Sequence, residues 1–203
     1  AKDLEVYKKK FLQLVAQISR PPLRELLGEI FSGSRWEQFI RNPAAKRFHH
    51  AYIGGLLEHS VDVAEMALAI AATLPAVDRD MIIAGALLHD IGKTEEISAD
   101  IGFSYTENGH MVGHITAGAL IIDAAARNVQ FLSEAERKSL LHIVLSHHGS
   151  RDKGSPVACA TREAVIVHYA DELNAVLQQY VETGEKEGAG WSFNKMIGSM
   201  IRV

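Results

Sequence analysis

Apolar positions from Leu4 to Ile18 (Leu4, Val6, Phe11, Leu12, Leu14, Val15, Ile18) recur at helical spacing, and Pro21-Pro22 closes that run. Leu23 to Phe31 predicts a second, short helix, and Trp36 to Ile40 a further turn ended by Asn42-Pro43. A long helix is predicted from Leu56 to Leu74, with His59, Val63, Met66, Ala67 and Ile70 on one face. Asp78 caps the next, from about Arg79 to Ile91, and Gly92 ends it. Glu95 to Gly109 alone lacks helical periodicity; Ile97, Phe103 and Tyr105 between glycines permit a small hairpin or an ordered loop. Helical spacing returns from Met111 to Asn128, beginning near His114. Ser133-Glu134-Ala135-Glu136 is a capping box that starts a helix reaching about His147. Ser150 to Ala160 reads as a polar connection, and Thr161 caps a helix to about Val181. The rest is glycine-rich, carries Trp191 and Phe193, and is expected to pack irregularly.

This pattern makes the fold all-α, and 203 residues suffice for one substantial core. The expected organisation is N-terminal helices over 1–42, a central helical domain over 43–182 and the tail over 183–203. Charged residues interrupt every apolar stretch well before 18 residues, so no spanning helix or secretory signal is read and a cytoplasmic location is expected. Cys159 is the single cysteine, which excludes an internal disulfide and a cysteine-rich zinc site. Any metal must then be held by His and carboxylate. The net charge of −4 argues against a broad basic surface for nucleic acid, so a phosphate-bearing partner has to be held locally.

Ten histidines are the compositional anomaly. His89-Asp90 sits at the end of an apolar helical run, where imidazole and carboxylate together suit a divalent first-row metal. His59 precedes the pair; His114, His147-His148 and Asp171 follow, each on or beside a predicted helix. That order, His, His-Asp, His, His-His, Asp, resembles the HD superfamily of metal-dependent phosphohydrolases. A single histidine on an apolar helix face is usually a satisfied core residue. Several imidazoles and two carboxylates buried together are costly unless paired or bound to ions, and a shared metal centre accounts for all of them.

Two ions are expected. Asp90 is the natural bridge because a carboxylate has two oxygens; His59, His89 and Asp171 complete the first ion, and His114 with His147 the second. Manganese, iron, nickel and zinc all fit such donors. Lys93 and His148, beside the ligands, are expected to serve the substrate, His148 being alternatively a ligand of a third metal. One of His49 and His50 is a candidate for the substrate entrance, and Arg151 with Lys153 for a strand contact. His110, His142 and His168 read as structural or surface residues.

Several segments are more specifically similar to the HD domain of YhaM-type 3′→5′ exoribonucleases. They are Pro43-Ala44-Ala45-Lys46 through His49-His50, Gly54 to His59, Leu87 to Lys93, Gly113-His114-Ile115, Leu145 to Gly149 with Gly154-Ser155-Pro156, and His168 to Asp171. The resemblance implies an HD helical bundle that removes nucleotides from the 3′ end of RNA or a short oligonucleotide. Family members also carry an N-terminal OB-fold that grips single strands, whereas residues 1–35 here read as helices; either a fragment or a stand-alone relative is expected. A nucleotidase or cyclic-dinucleotide phosphodiesterase is the alternative within hydrolases. A di-iron oxygenase and a nucleotide-binding module without turnover are the alternatives from other classes. The expected partner is a nucleotide or single-stranded RNA, without a membrane, and an oligomer is compatible with the sequence.

Overall fold

The computed structural model describes residues 3–45, 52–99, 102–195 and 197–203. Among them helices dominate, as the periodicity predicts. The N-terminal three are α1 (Leu4–Gln17), α2 (Pro21–Ile30) and α3 (Gly33–Arg41). Pro21 and Pro22 separate α1 from α2 and also begin α2, since proline costs nothing where the amide has no intrahelical acceptor. Phe11, Phe31, Trp36 and Phe39 clasp the three helices, with Phe31 and Phe39 ring centroids 4.7 Å apart.

Helix α4 (Gly55–Ala71) packs on α5 (Arg79–Leu88), the centre of the molecule. Every residue of α5 from Asp80 to Leu88 is buried. Such a helix is apolar all round because neighbours cover all its faces, here α1, α4, α9 (Glu134–Ser146) and α10 (Arg162–Glu187). A short α6 (Lys93–Glu96) leads into the segment without helical periodicity. There Ile97–Ser98 (β1) pairs antiparallel with Ser104–Tyr105 (β2), and α7 (Glu107–Met111) follows. The hairpin is as expected; α6 and α7 are too short to leave a periodic trace. Helix α8 (His114–Ala126) then packs on α9, whose capping box forms as read, with Ser133 and Glu136 bonded reciprocally.

The tail departs from expectation. Helix α10 runs on to Glu187, and Trp191–Asn194 (β3) pairs with Ser199–Arg202 (β4) in an antiparallel hairpin. Its inward face is partly polar: Ser192 and Asn194 are buried, and Asn194 Nδ2 donates to Thr183 Oγ1 on α10 at 3.0 Å. Trp191 and Phe193 point outward. An apolar-out alternation carries no inward hydrophobic period, so it reads as irregular in sequence. Among the described residues, no helix is long and apolar enough to cross a membrane.

Candidate metal centre

Five elements deliver the candidate ligands to one place. His59 projects from the second turn of α4, and His89 and Asp90 prolong the last turn of α5. His114 is the first residue of α8, His147 and His148 follow the end of α9, and Asp171 lies on α10. Gly92 brings the third of these elements close. A Cβ there would lie 2.0 Å from the His114 carbonyl oxygen and 2.5 Å from the Gly118 amide, so only glycine lets α8 abut the His-Asp turn. Its φ is an ordinary −64°; space, rather than a left-handed cap, demands the glycine.

Each imidazole is fixed through Nδ1. His89 Nδ1 donates to the Ala86 carbonyl at 2.7 Å, His147 Nδ1 to Val144 at 2.7 Å and His148 Nδ1 to Lys153 at 3.0 Å. His59 Nδ1 donates to Asn174 Oδ1 at 2.8 Å and His114 Nδ1 to Glu96 Oε1 at 3.1 Å. Oxygen acceptors have no proton to offer, so each ring carries its proton on Nδ1 and turns the Nε2 lone pair inward. His59 Nε2 and His89 Nε2 thereby face each other at 3.2 Å. Two lone pairs at that separation repel unless a cation lies between them, whether a proton or a metal ion.

The surrounding distances fit a metal. His59 Nε2 is 3.1 Å from Asp171 Oδ1 and 3.5 Å from Asp90 Oδ2; His89 Nε2 is 3.4 Å from Asp90 Oδ2 and 3.9 Å from Asp171 Oδ1. Donors sharing an ion with bonds of about 2.1 Å stand roughly 3–3.5 Å apart. On the other side, Asp90 Oδ1 is 3.6 Å from both His114 Nε2 and His147 Nε2, and none of these three buried atoms has a hydrogen bond among the described residues. Buried polar atoms left so are rare, and a set of them converging on one point fits an ion. Two groups of ligand atoms could each hold a divalent metal: His59, His89 and Asp171, and His114, His147 and His148, with Asp90 between them.

The HD-domain family profile matches residues 56–176, which contain every one of these ligands. The chain belongs to the HD-domain family. The 3′-5′ exoribonuclease YhaM of Bacillus subtilis is 42% identical over 138 residues, 68% of this chain and 44% of that relative. The protein of the same name from Bacillus licheniformis is 41% identical over 139 residues, again 68% of this chain and 44% of the relative. The chain thus spans less than half the length of these curated relatives. No solved structure matches it.

Charge in the HD centre is balanced closely. Burial would raise the Asp90 pKa, but Lys93 and His89 outweigh it and hold the carboxyl well below its usual range. Burial would lower His89, and the Asp90 carboxylate overrides it, so the His89 pKa is raised. Asp171 is likewise depressed, the His59 hydrogen bond and the His89 charge overcoming burial. Burial takes His147 the other way, down to about 4, so that ring stays neutral and lone-pair-bearing at neutral pH. Lys93 Nζ lies 2.5 Å from Asp90 Oδ2; burial would lower its pKa, but the Asp90 charge raises it and keeps the ammonium charged.

A cavity of about 430 Å³ opens on the HD centre, lined by His59, Asp90, Lys93, His147, His148 and Asp171, and also by Lys153, His168, Glu172 and Ala175. All the expected ligands except His89 and His114 line it, as do both expected substrate residues. Lys153 joins them, whereas Arg151 is not among the lining residues. His49 and His50 lie outside the described residues. His168, read as structural or surface, lines the cavity and donates from Nδ1 to the His147 carbonyl at 2.7 Å. Its signal was its place one turn before Asp171 on the same helix. Asn174, one turn after Asp171, shared that signal; Glu96 had none, because its segment shows no periodicity. His142 accepts from the Ala160 amide at 2.8 Å, and His110 rests against the Tyr105 ring; neither is among the residues lining the cavity.

Proposed function

We propose that this HD domain is a metal-dependent phosphodiesterase that removes nucleotides one at a time from the 3′ end of RNA or a short oligonucleotide. The facing lone pairs of His59 and His89 at 3.2 Å carry the metal reading, and the names of the two relatives carry the substrate and direction. Bound divalent ions would supply a Lewis acid for the phosphoryl oxygens and an acidified water as nucleophile. His59, His89, Asp90 and Asp171 would hold one ion, and Asp90, His114 and His147 the other. Manganese, iron, nickel and zinc suit these donors alike. The Asn174 and Glu96 acceptors keep the His59 and His114 rings oriented with Nε2 turned inward.

Lys93, beside Asp90 in the cavity wall, would bind a non-bridging phosphate oxygen. His148 suits coordination beside His114 and His147 better than proton donation, because its Nδ1 proton is committed to Lys153 and burial lowers its pKa, leaving a bare Nε2.

The test is a 5′-labelled oligoribonucleotide incubated with the manganese-loaded protein. The expected product is a ladder that shortens by one nucleotide at each step and releases mononucleotides. Internal cuts, or hydrolysis confined to mononucleotides, would reject the proposal.

A further inference from the structure

A cavity that receives a phosphodiester has an evident use for cations, whereas a carboxylate on its wall repels the substrate unless it serves another group. Glu172 is such a carboxylate. Asp90 and Asp171 also line the cavity, but their oxygens face the histidine clusters. Glu172 Oε1 is ion-paired with Lys153. Its Oε2 lies 3.7 Å from His168 Nε2, beyond hydrogen-bond reach, and makes no hydrogen bond among the described residues. One carboxylate oxygen is therefore engaged by Lys153, and the other is an acceptor without a donor among the described residues, in the wall of the site.

Carboxylate oxygens accept from hydroxyls, and on a nucleotide the hydroxyls are on the sugar. An internal ribonucleotide has only its 2′-hydroxyl free, while the 3′-terminal one presents a vicinal 2′,3′-diol. Successive residues of a helix project about 100° apart, so the Glu172 side chain flanks the clusters that Asp171 enters. From those clusters, a nucleotide bound through its 5′-phosphate can extend its sugar along that flank. At about 430 Å³ the cavity is in the size range of small-molecule sites and suits one terminal nucleotide.

We propose that Glu172 reads the 3′ end: its carboxylate accepts hydrogen bonds from the 2′,3′-diol of the terminal ribose, and Lys153 cancels its charge and fixes its rotamer. This rests on the phosphodiesterase reading above and explains how a site on that chemistry selects chain ends.

The experiment uses the full chain loaded with manganese and 5′-labelled oligoribonucleotides identical except at the last nucleotide, which is ribo, 2′-deoxy, 3′-deoxy or 3′-phosphorylated. In the wild type, kcat/KM should fall about 10- to 100-fold when either hydroxyl is removed or blocked, the usual loss when a site built for a hydroxyl is denied it. Glu172→Ala should treat the four ends within about 2-fold of one another, and Glu172→Gln should discriminate to an intermediate degree. The ratio between ends is the readout, because a merely structural defect lowers all four rates together. Equal rates on all ends in the wild type, or full discrimination in Glu172→Ala, overturns the inference. Bis(p-nitrophenyl) phosphate, which has no ribose, separates the two levels. Its turnover by the wild type without end discrimination defeats the role of Glu172 alone; no turnover of it or of RNA with any of the four metals defeats the phosphodiesterase reading and the end-reading role with it.

Discussion

Asp90 carries the largest share of the centre, since one oxygen faces His59 and His89 and the other faces His114 and His147. Lys93 touches only the first of those oxygens and lies in the cavity wall, so the two residues should fail differently. Lys93→Ala is expected to keep its metal and lose about 30- to 1,000-fold in kcat/KM, the roughly 2–4 kcal/mol of one charge-assisted contact made in the transition state. Asp90→Ala should lose metal and activity together, and His148→Ala should lose part of both. Metal content and kinetics measured on the same preparations decide these roles. If Lys93→Ala loses metal in proportion to activity, Lys93 supports the ligands and does not grip phosphate.

At the scale of elements, what keeps the α5 end in place for metal is secured at its opposite end. Asp80, in the first turn of α5, accepts from the Ser19 amide at 3.0 Å, the Ser19 hydroxyl at 2.7 Å, the Arg20 amide at 3.0 Å and Arg20 Nε at 3.2 Å. Arg20 reaches on to Asp78 and to Glu136 at the start of α9, so one knot joins α2, α5 and α9. Burial would raise the Asp80 pKa, but the Ser19 hydrogen bonds and Arg20 outweigh it and the pKa is lowered. A carboxyl depressed in the folded state stabilises fully above its unfolded pKa, near 3.9, and that contribution vanishes as pH falls through the lower folded value. Asp80→Ala should therefore cost about 2–3 kcal/mol at pH 7, with orphaned donors left behind, and the gap to wild type should narrow as pH drops below about 4. Urea unfolding across that range measures it; a gap that stays constant to pH 3 would show that charge is not what Asp80 contributes.

For the whole molecule, the binding of metal and of protons should be one coupled equilibrium. Without an ion, the Asp90 carboxylate raises the His89 pKa against burial and so favours a proton on that ring. Metal must displace that proton, so affinity should rise with pH until His89 is neutral and then level off. His147, with its pKa down at about 4, adds no such dependence at neutral pH. Calorimetric titration with manganese in buffers of different ionisation enthalpy should show proton release that diminishes as pH rises. Metal should also raise Tm, because ligands drawn from α4, α5, α8, α9 and α10 are brought together only in the folded state. An affinity and enthalpy independent of pH and buffer between pH 6 and 8 would refute the coupling.

Helical periodicity, proline and the caps at Asp78, Ser133 and Thr161 depend on neighbours within a turn or two, so the sequence by itself determined most helices and their starts. The order of His59, His89-Asp90, His114, His147-His148 and Asp171 likewise marked the centre, because ligand chemistry is a property of residue type. Tertiary structure alone decided the tautomers, since Nδ1 partners such as Asn174 and Glu96 come from distant parts of the chain. It also decided why position 92 is glycine, through the approach of α8 to within a Cβ's reach, and why Glu172 belongs to the cavity. The terminal hairpin was hidden for the same reason: Asn194 on its buried face is met by Thr183 on α10, and an alternation that turns Trp191 and Phe193 outward gives no apolar period toward the core.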